Sequence, residues 1–262
     1  MFKFEDDHCY RMPAHFGGYK YQPVELCYHD VTSMIFTFKT DGEKLSNYIP
    51  EGFELLRPEL SVNFAQCREI DWMAGSAYNL IDISAPVRFN GKRDRIEGTF
   101  SLVVWENKTA PILGGREETG VSKIFADIED LHIFQNKRFS VAGHEGNAFL
   151  RLEMTVESPL DDSEMTRFRK KSSNGMHWRY IPKVGGPGAV VSQAVLYPQR
   201  MEATQGWKGA GTIQWTMLSY EQCPNQFHII YALANLPLLD MYPTIMTKGA
   251  IFLMPSSACV LE

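Results

Sequence analysis

Seven stretches of this chain are rich in β-branched and aromatic residues with partial two-residue alternation, and no long amphipathic helical pattern separates them. They run from Val31 to Lys39, Leu60 to Cys67, Gly98 to Glu106, Asn147 to Val156, Ala189 to Tyr197, Gly211 to Leu218 and Phe227 to Leu236. Strands without intervening helices cannot make parallel βαβ crossovers, so the pattern predicts an antiparallel sheet that curves and closes on itself. The expected class is α+β, mainly antiparallel β, barrel-like or cone-like, with short helices at the rim. One helix is expected from Asp41 to Tyr48, with an acidic first turn and a stop before Pro50. A second is expected from Pro237 to Met246, interrupted at Pro243. No linker, repeat or charge shift divides the 262 residues, so 1–262 reads as a single domain.

Composition narrows the function. The 31 acidic residues exceed the 26 basic ones, giving a net charge of −5, where nucleic-acid binders usually carry a basic excess. The cluster Arg167, Arg169, Lys170, Lys171 and Arg179 reads as a solvated face. No apolar run reaches the roughly 18–20 residues of a membrane span, and the acidic start M-F-K-F-E-D-D-H lacks a signal-peptide core. These features predict a cytoplasmic protein with neither membrane nor nucleic acid as partner. Five scattered cysteines without a C-x-x-C pair read as reduced and mostly buried. Asp6, Asp7, His8, Cys9 and His15 have ligand-type atoms without ligand spacing, so no metal site is expected. A G-x-S-x-G elbow is absent, and K-V-G-G-P-G around Gly185 lacks dinucleotide-loop spacing.

The chemistry concentrates in G-G-R-E-E-T-G-V-S-K-I-F, Gly114 to Phe125, which sets Lys123 at the end of a charged turn among Val121, Ile124 and Phe125. Desolvation disfavours an ammonium, and an amine neutral near neutral pH can condense with a ketone to an iminium that stabilises a neighbouring carbanion. A free lysine titrates at about 10.4, so such activation implies roughly 4–5 kcal/mol of differential stabilisation.

The same segment, with its surroundings, resembles the acetoacetate decarboxylase family. The specific pieces are G-R-E-(x)5-K ending at Lys123 and A-P-V-R-F-N-G from Ala85 to Gly91. Around them lie Y-K-Y at Tyr19, Y-I-P-E-G-F-E-L at Tyr48, R-Y-I-P at Arg179 and G-A-I-F-L-M-P at Gly249, so the resemblance spans almost the whole chain in order. It implies a β-rich, cone-like fold with the Schiff-base lysine at Lys123, acetoacetate decarboxylase being a standard example of a lysine so activated. It also implies homo-oligomers and no organic cofactor, because the lysine itself is the electron sink.

Four departures from the family pattern bear on substrate. The second of the two adjacent lysines is Ile124 here, the arginine of the first long strand falls at Val31, and the glutamate before A-P-V-R-F-N-G falls at Leu80; a third acid falls on Asn63 or Ala65. Efficient decarboxylation of acetoacetate is therefore not expected. The remaining candidates for acid–base work are Glu118, Glu117, Asp82 and Tyr78, with Glu117 also able to brace the turn. Arg116, Thr119, Leu80, Val121 and Phe252 are candidates for the substrate surroundings. The leading expectation is a Schiff-base lyase that condenses pyruvate, or another small keto acid, with an aldehyde and then eliminates water, a chemistry known in members of the superfamily. The alternatives are a decarboxylase of acetoacetate or a larger β-keto acid, with Trp105, Phe100 and Phe252 around its tail, and a non-catalytic binder of a hydrophobic carbonyl compound.

Overall fold

Residues 1–262 are described by a computed structural model. Strands β1 (Leu26–Lys39), β2 (Glu59–Ile70), β3 (Ser76–Asn90) and β4 (Arg95–Glu106) are successive antiparallel neighbours. Next come β5 (Lys123–Phe125), β6 (Lys137–His144), β7 (Asn147–Pro159), β8 (Lys171–Pro182), β9 (Ala189–Trp215) and β10 (Thr244–Leu253). β10 pairs with both β9 and β1, and β8 joins β9 to β4, so the sheet closes in a ring through β1, β2, β3, β4, β8, β9 and β10. The hairpin of β6 and β7 extends it from β9. The helices are short: α1 (Gly42–Ser46), α2 (Thr109–Glu118), α3 (Asp162–Arg169) and α4 (Phe227–Ala234). None is long and apolar enough to cross a membrane.

Strand alternation divides the sheet into two chemically different faces. Met34 and Phe36 of β1, Leu60, Val62 and Phe64 of β2, Ile81 and Ile83 of β3 and Trp105 of β4 point to one side and form the main core. Each such side chain contributes roughly 1.5–3 kcal/mol by leaving water. Their sequence neighbours face the other way, where Tyr28, Ala65, Cys67 and Tyr78 build a smaller cluster. In register, Ala65 stands opposite Leu80 and Leu80 opposite Glu106, so Glu106 projects from this second face, away from Trp105.

The strand pattern holds from β1 to β9 with longer elements than expected, and four strands, β3, β5, β6 and β8, emerge outside the strand stretches expected from sequence. The Phe227–Leu236 stretch is not a strand. Its buried residues Ile230 and Leu233 lie on one face of α4 and cover the main core, and Leu236 just past the helix end continues the same spacing. The expected helix from Pro237 to Met246 is extended instead, because Pro243 removes a backbone donor and Thr244 enters β10. The Asp41 helix forms as α1, with the Asp41 carboxylate accepting from the Lys44 amide at 3.0 Å.

Antiparallel pairing dominates, with two parallel exceptions: β8 beside β4, where the ring closes, and one small βαβ unit. The chain leaves β4 at Glu106, turns through α2 and returns as β5 parallel to β4, placing Lys123 opposite Val104 and Phe125 opposite Glu106. Gln226, at the start of α4, braces the unit by accepting from the Trp105 indole at 2.7 Å and donating to the Phe125 carbonyl at 2.8 Å.

Candidate active site

The Gly114–Thr119 segment, expected as a turn, is the second half of α2. Pro111 is tolerated in the first turn, where its missing N–H has no intrahelical acceptor. The helix ends as the Thr119 hydroxyl and the Val121 amide both donate to the Gly115 carbonyl, at 3.0 and 2.9 Å. Lys123 then folds back along the helix. A Cβ on Gly115 would lie 2.5 Å from Lys123 Cδ and 2.8 Å from Nζ, and one on Gly114 would lie 2.9 Å from the Arg11 guanidinium. The glycine pair is thus the place where two cationic side chains approach the helix backbone.

Lys123 Nζ lies 2.8 Å from Glu106 Oε1 and donates to the Pro111 carbonyl at 3.1 Å. The Glu106 side chain is 0% exposed and that of Lys123 only 13%. The carboxylate contact is an ion pair without hydrogen-bond alignment, since neither Glu106 oxygen has a well-oriented donor. Burial raises the Glu106 carboxyl above its ordinary value, against the opposing pull of Lys123.

Above this pair opens a pocket of about 60 Å³ bounded by Arg11, Tyr28, Glu118, Thr119, Tyr197 and Leu253, among others. Glu118 accepts from Arg11 Nε at 2.5 Å and from the Tyr19 hydroxyl at 2.6 Å. Burial pushes the Glu118 carboxyl up, but these two hydrogen bonds and the Arg11 charge outweigh it and hold the group below its usual range. Burial and Glu118 together raise the Tyr19 phenol to about 12. The Tyr28 hydroxyl accepts from Trp72 Nε1 at 3.0 Å and from the Tyr78 hydroxyl at 3.3 Å. Deeper still, on the sheet face of Tyr197, the buried imidazole of His177 has no hydrogen-bond partner, and burial, reinforced by the Lys123 charge, lowers its pKa to about 3.

Of the residues singled out from sequence, Lys123, Glu118 and Thr119 meet in this pocket. Tyr78 stands behind Tyr28, and Leu80 packs on the same small cluster. Asp82 shares the face of Val104 but lies two strands from Lys123, with its carboxyl raised to about 6 by burial against the pull of Ser101 and Ser84. Glu117 bounds no part of the pocket; its carbonyl accepts from Arg179 at 2.6 Å. Arg116 does not pair with Glu117 or Glu118 but donates to the Lys123 carbonyl at 2.8 Å. Val121 packs with Val104 and Tyr197 beside the pocket. Phe252 points away and lies under the Arg200 guanidinium at 4.0 Å, while its neighbour Leu253 faces the pocket. Trp105 is wholly buried in the main core and Phe100 borders a different cavity.

Sequence reasoning missed Glu106 and Arg11. Glu106 ends a run of strand residues as an acid exposed on neither side, a pattern that only cross-strand register turns into a site. Arg11 lies in a segment without periodicity, more than a hundred residues from its partner Glu118.

An amine held against a buried proton acceptor, with a cation across a small pocket, equips a protein for carbon–carbon lyase chemistry, and this chain is an enzyme of that class. It belongs to the acetoacetate decarboxylase family: the family model described as Acetoacetate decarboxylase (ADC) matches residues 11–238. A curated relative, acetoacetate decarboxylase of Burkholderia cenocepacia, is 24% identical over 209 residues, 79% of this chain and 77% of the relative. The fold is shared with the crystal structure of acetoacetate decarboxylase from Legionella pneumophila (TM-score 0.74, 19% identity, 94% of this chain and 92% of that one). It is also shared with the enduracididine biosynthesis enzyme MppR, solved with the condensation product of pyruvate and imidazole 4-carboxaldehyde (TM-score 0.67, 12% identity, 92% and 90% covered).

Proposed function

We propose that this protein is a Schiff-base lyase that condenses a small keto acid, of which pyruvate is the simplest, with an aldehyde and eliminates water. The observation that carries the reading is the 2.8 Å approach of Lys123 Nζ, which lines a pocket together with Arg11, to the fully buried Glu106 behind it. Glu106 takes the proton that the amine must lose, the amine adds to the keto carbon, and the protonated Glu106 returns a proton as hydroxide leaves the carbinolamine as water. The Arg11 guanidinium bonds Glu118 through Nε alone, which leaves its terminal nitrogens for the keto-acid carboxylate.

Two carboxyls with opposite environments then divide the remaining proton transfers. Glu118, held ionised by Arg11 and Tyr19, accepts the proton from the carbon next to the iminium, giving the enamine. The enamine adds to the aldehyde, whose oxygen takes that proton back from Glu118. Glu118 then removes the second proton from the same carbon and delivers it to the departing hydroxyl, which leaves as water, while Glu106, raised by burial, takes the proton of the water that hydrolyses the iminium. Hydrolysis of the iminium releases the unsaturated keto acid and restores Lys123. The MppR complex supports condensation as a chemistry this fold can carry. We further propose that the enzyme works as a homo-oligomer without an organic cofactor.

The test is to mix enzyme, pyruvate and an aromatic aldehyde and to follow absorbance together with product mass. The reading expects a conjugated product equal in mass to the two reactants less one water. Carbon dioxide release from acetoacetate without any condensation product would replace it with the decarboxylase reading.

A further inference from the structure

On the other side of β5 from the Lys123 amine lie two adjoining cavities of about 460 and 310 Å³. They share Leu102, Val103, Ser122, Trp178 and Ile229, so they form one continuous space between α4 and the β4 and β8 strands. Their chemistry is sharply divided. The larger part is apolar, walled by Phe100, Ala232 and Leu233 among others. The smaller part holds two guanidiniums, Arg116 and Arg179, and no acidic residue. Neither arginine has a carboxylate partner: Arg116 donates to the Lys123 carbonyl at 2.8 Å and Arg179 to the Glu117 carbonyl at 2.6 Å. Arg179 Nε is buried with no acceptor at all. A guanidinium so placed keeps unused donors, and a planar anion is the ligand that satisfies them bidentately.

We propose that this space is a second ligand site, separate from the Lys123 pocket, for a monocarboxylate with an apolar tail, its head on Arg116 and Arg179 and its tail against α4. The combined volume falls in the range of small-molecule sites, and the distribution of an apolar wall with a few convergent polar groups is their usual make-up. The site also has a mechanical link to the chemistry. Both guanidiniums hold carbonyls of the α2–β5 unit, one of them that of Lys123 itself, so a carboxylate that draws on them acts on the segment that positions the amine.

The experiment is calorimetric titration of the full-length protein with decanoate below its micellar concentration, with decanol and acetate as controls for head and tail. Decanoate is expected to bind, and to bind Lys123→Ala equally well, because the Lys123 amine is not part of this site. Arg179→Met is expected to weaken it by roughly tenfold or more, the effect of a lost charge-assisted hydrogen bond, and decanol to bind correspondingly worse than decanoate. Ala232→Trp fills the apolar end and should abolish binding while the melting temperature shows the fold retained. No decanoate binding, equal binding of decanol, loss of binding in Lys123→Ala, or no change in either Arg179→Met or Ala232→Trp overturns the proposal.

Discussion

Glu106 stands directly opposite Leu80 in the register of β3 and β4. The resemblance to the family leads one to expect a glutamate at Leu80, so the carboxylate facing the lysine comes from the adjacent strand instead. From there it reaches Lys123 at 2.8 Å, because β5 lies along the far edge of β4. A carboxyl with no exposure can exchange protons only with the amine or with a ligand in the pocket.

Glu106→Gln keeps the side-chain volume and removes the proton acceptor. Turnover is expected to fall by about 10²–10⁴, the range for losing a general acid–base group. Single-turnover kinetics should place the loss in iminium formation and iminium hydrolysis, with substrate binding little changed.

Gly115→Ala introduces a Cβ 2.5 Å from Lys123 Cδ and so displaces the amine. A misplacement on the order of 1 Å costs roughly 10²-fold in rate. Circular dichroism should show the fold retained while borohydride trapping slows by that factor.

Arg11→Met removes the cation available to the substrate carboxylate. Trapping with pyruvate is expected to need roughly tenfold or more higher concentration, while trapping with acetone, which has no carboxylate, changes far less. Equal effects on the two ketones would show that Arg11 acts only by holding Glu118.

Asp82 and His177 give stability opposite dependences on pH. The folded Asp82 carboxyl, at about 6, keeps a proton that the unfolded chain releases nearer 3.8, so stability falls as pH rises through that window and stays lower above it. Folded His177, at about 3 against an ordinary 6.5, refuses a proton that the unfolded chain takes, so stability falls as pH drops from 6.5 towards 3. Urea unfolding of Asp82→Asn should show a gain on the order of 2–3 kcal/mol at about pH 8 and none at about pH 4. His177→Phe should flatten the decline on the acid side.

Much of this architecture is legible in the sequence. Strands such as Val31 to Lys39 and Gly98 to Glu106 carry their alternation openly, and Lys123 is marked by both its apolar neighbours and its motif. What failed had local causes. The residues from Phe227 to Leu236 are individually strand-formers, and only the three-residue spacing of Ile230, Leu233 and Leu236 betrays α4. The glycines at 114 and 115 weaken any helical reading of α2, although the helix needs them to admit Lys123 and Arg11. Phe252 and Leu253 differ by one step along a strand, and that step decides which of them faces the pocket. Glu106 and Arg11 depend on strand register and long-range packing, which no local window contains.

The central claim is that Lys123 forms the iminium and Glu106 is its proton partner. Intact-mass analysis after borohydride reduction with pyruvate, followed by peptide mapping, tests it most directly in wild type, Lys123→Ala and Glu106→Gln. One reduced pyruvate adduct is expected on Lys123, none in Lys123→Ala, and much slower accumulation in Glu106→Gln. An adduct on another lysine, or none in the folded wild-type protein at any pH between about 6 and 9, would contradict it.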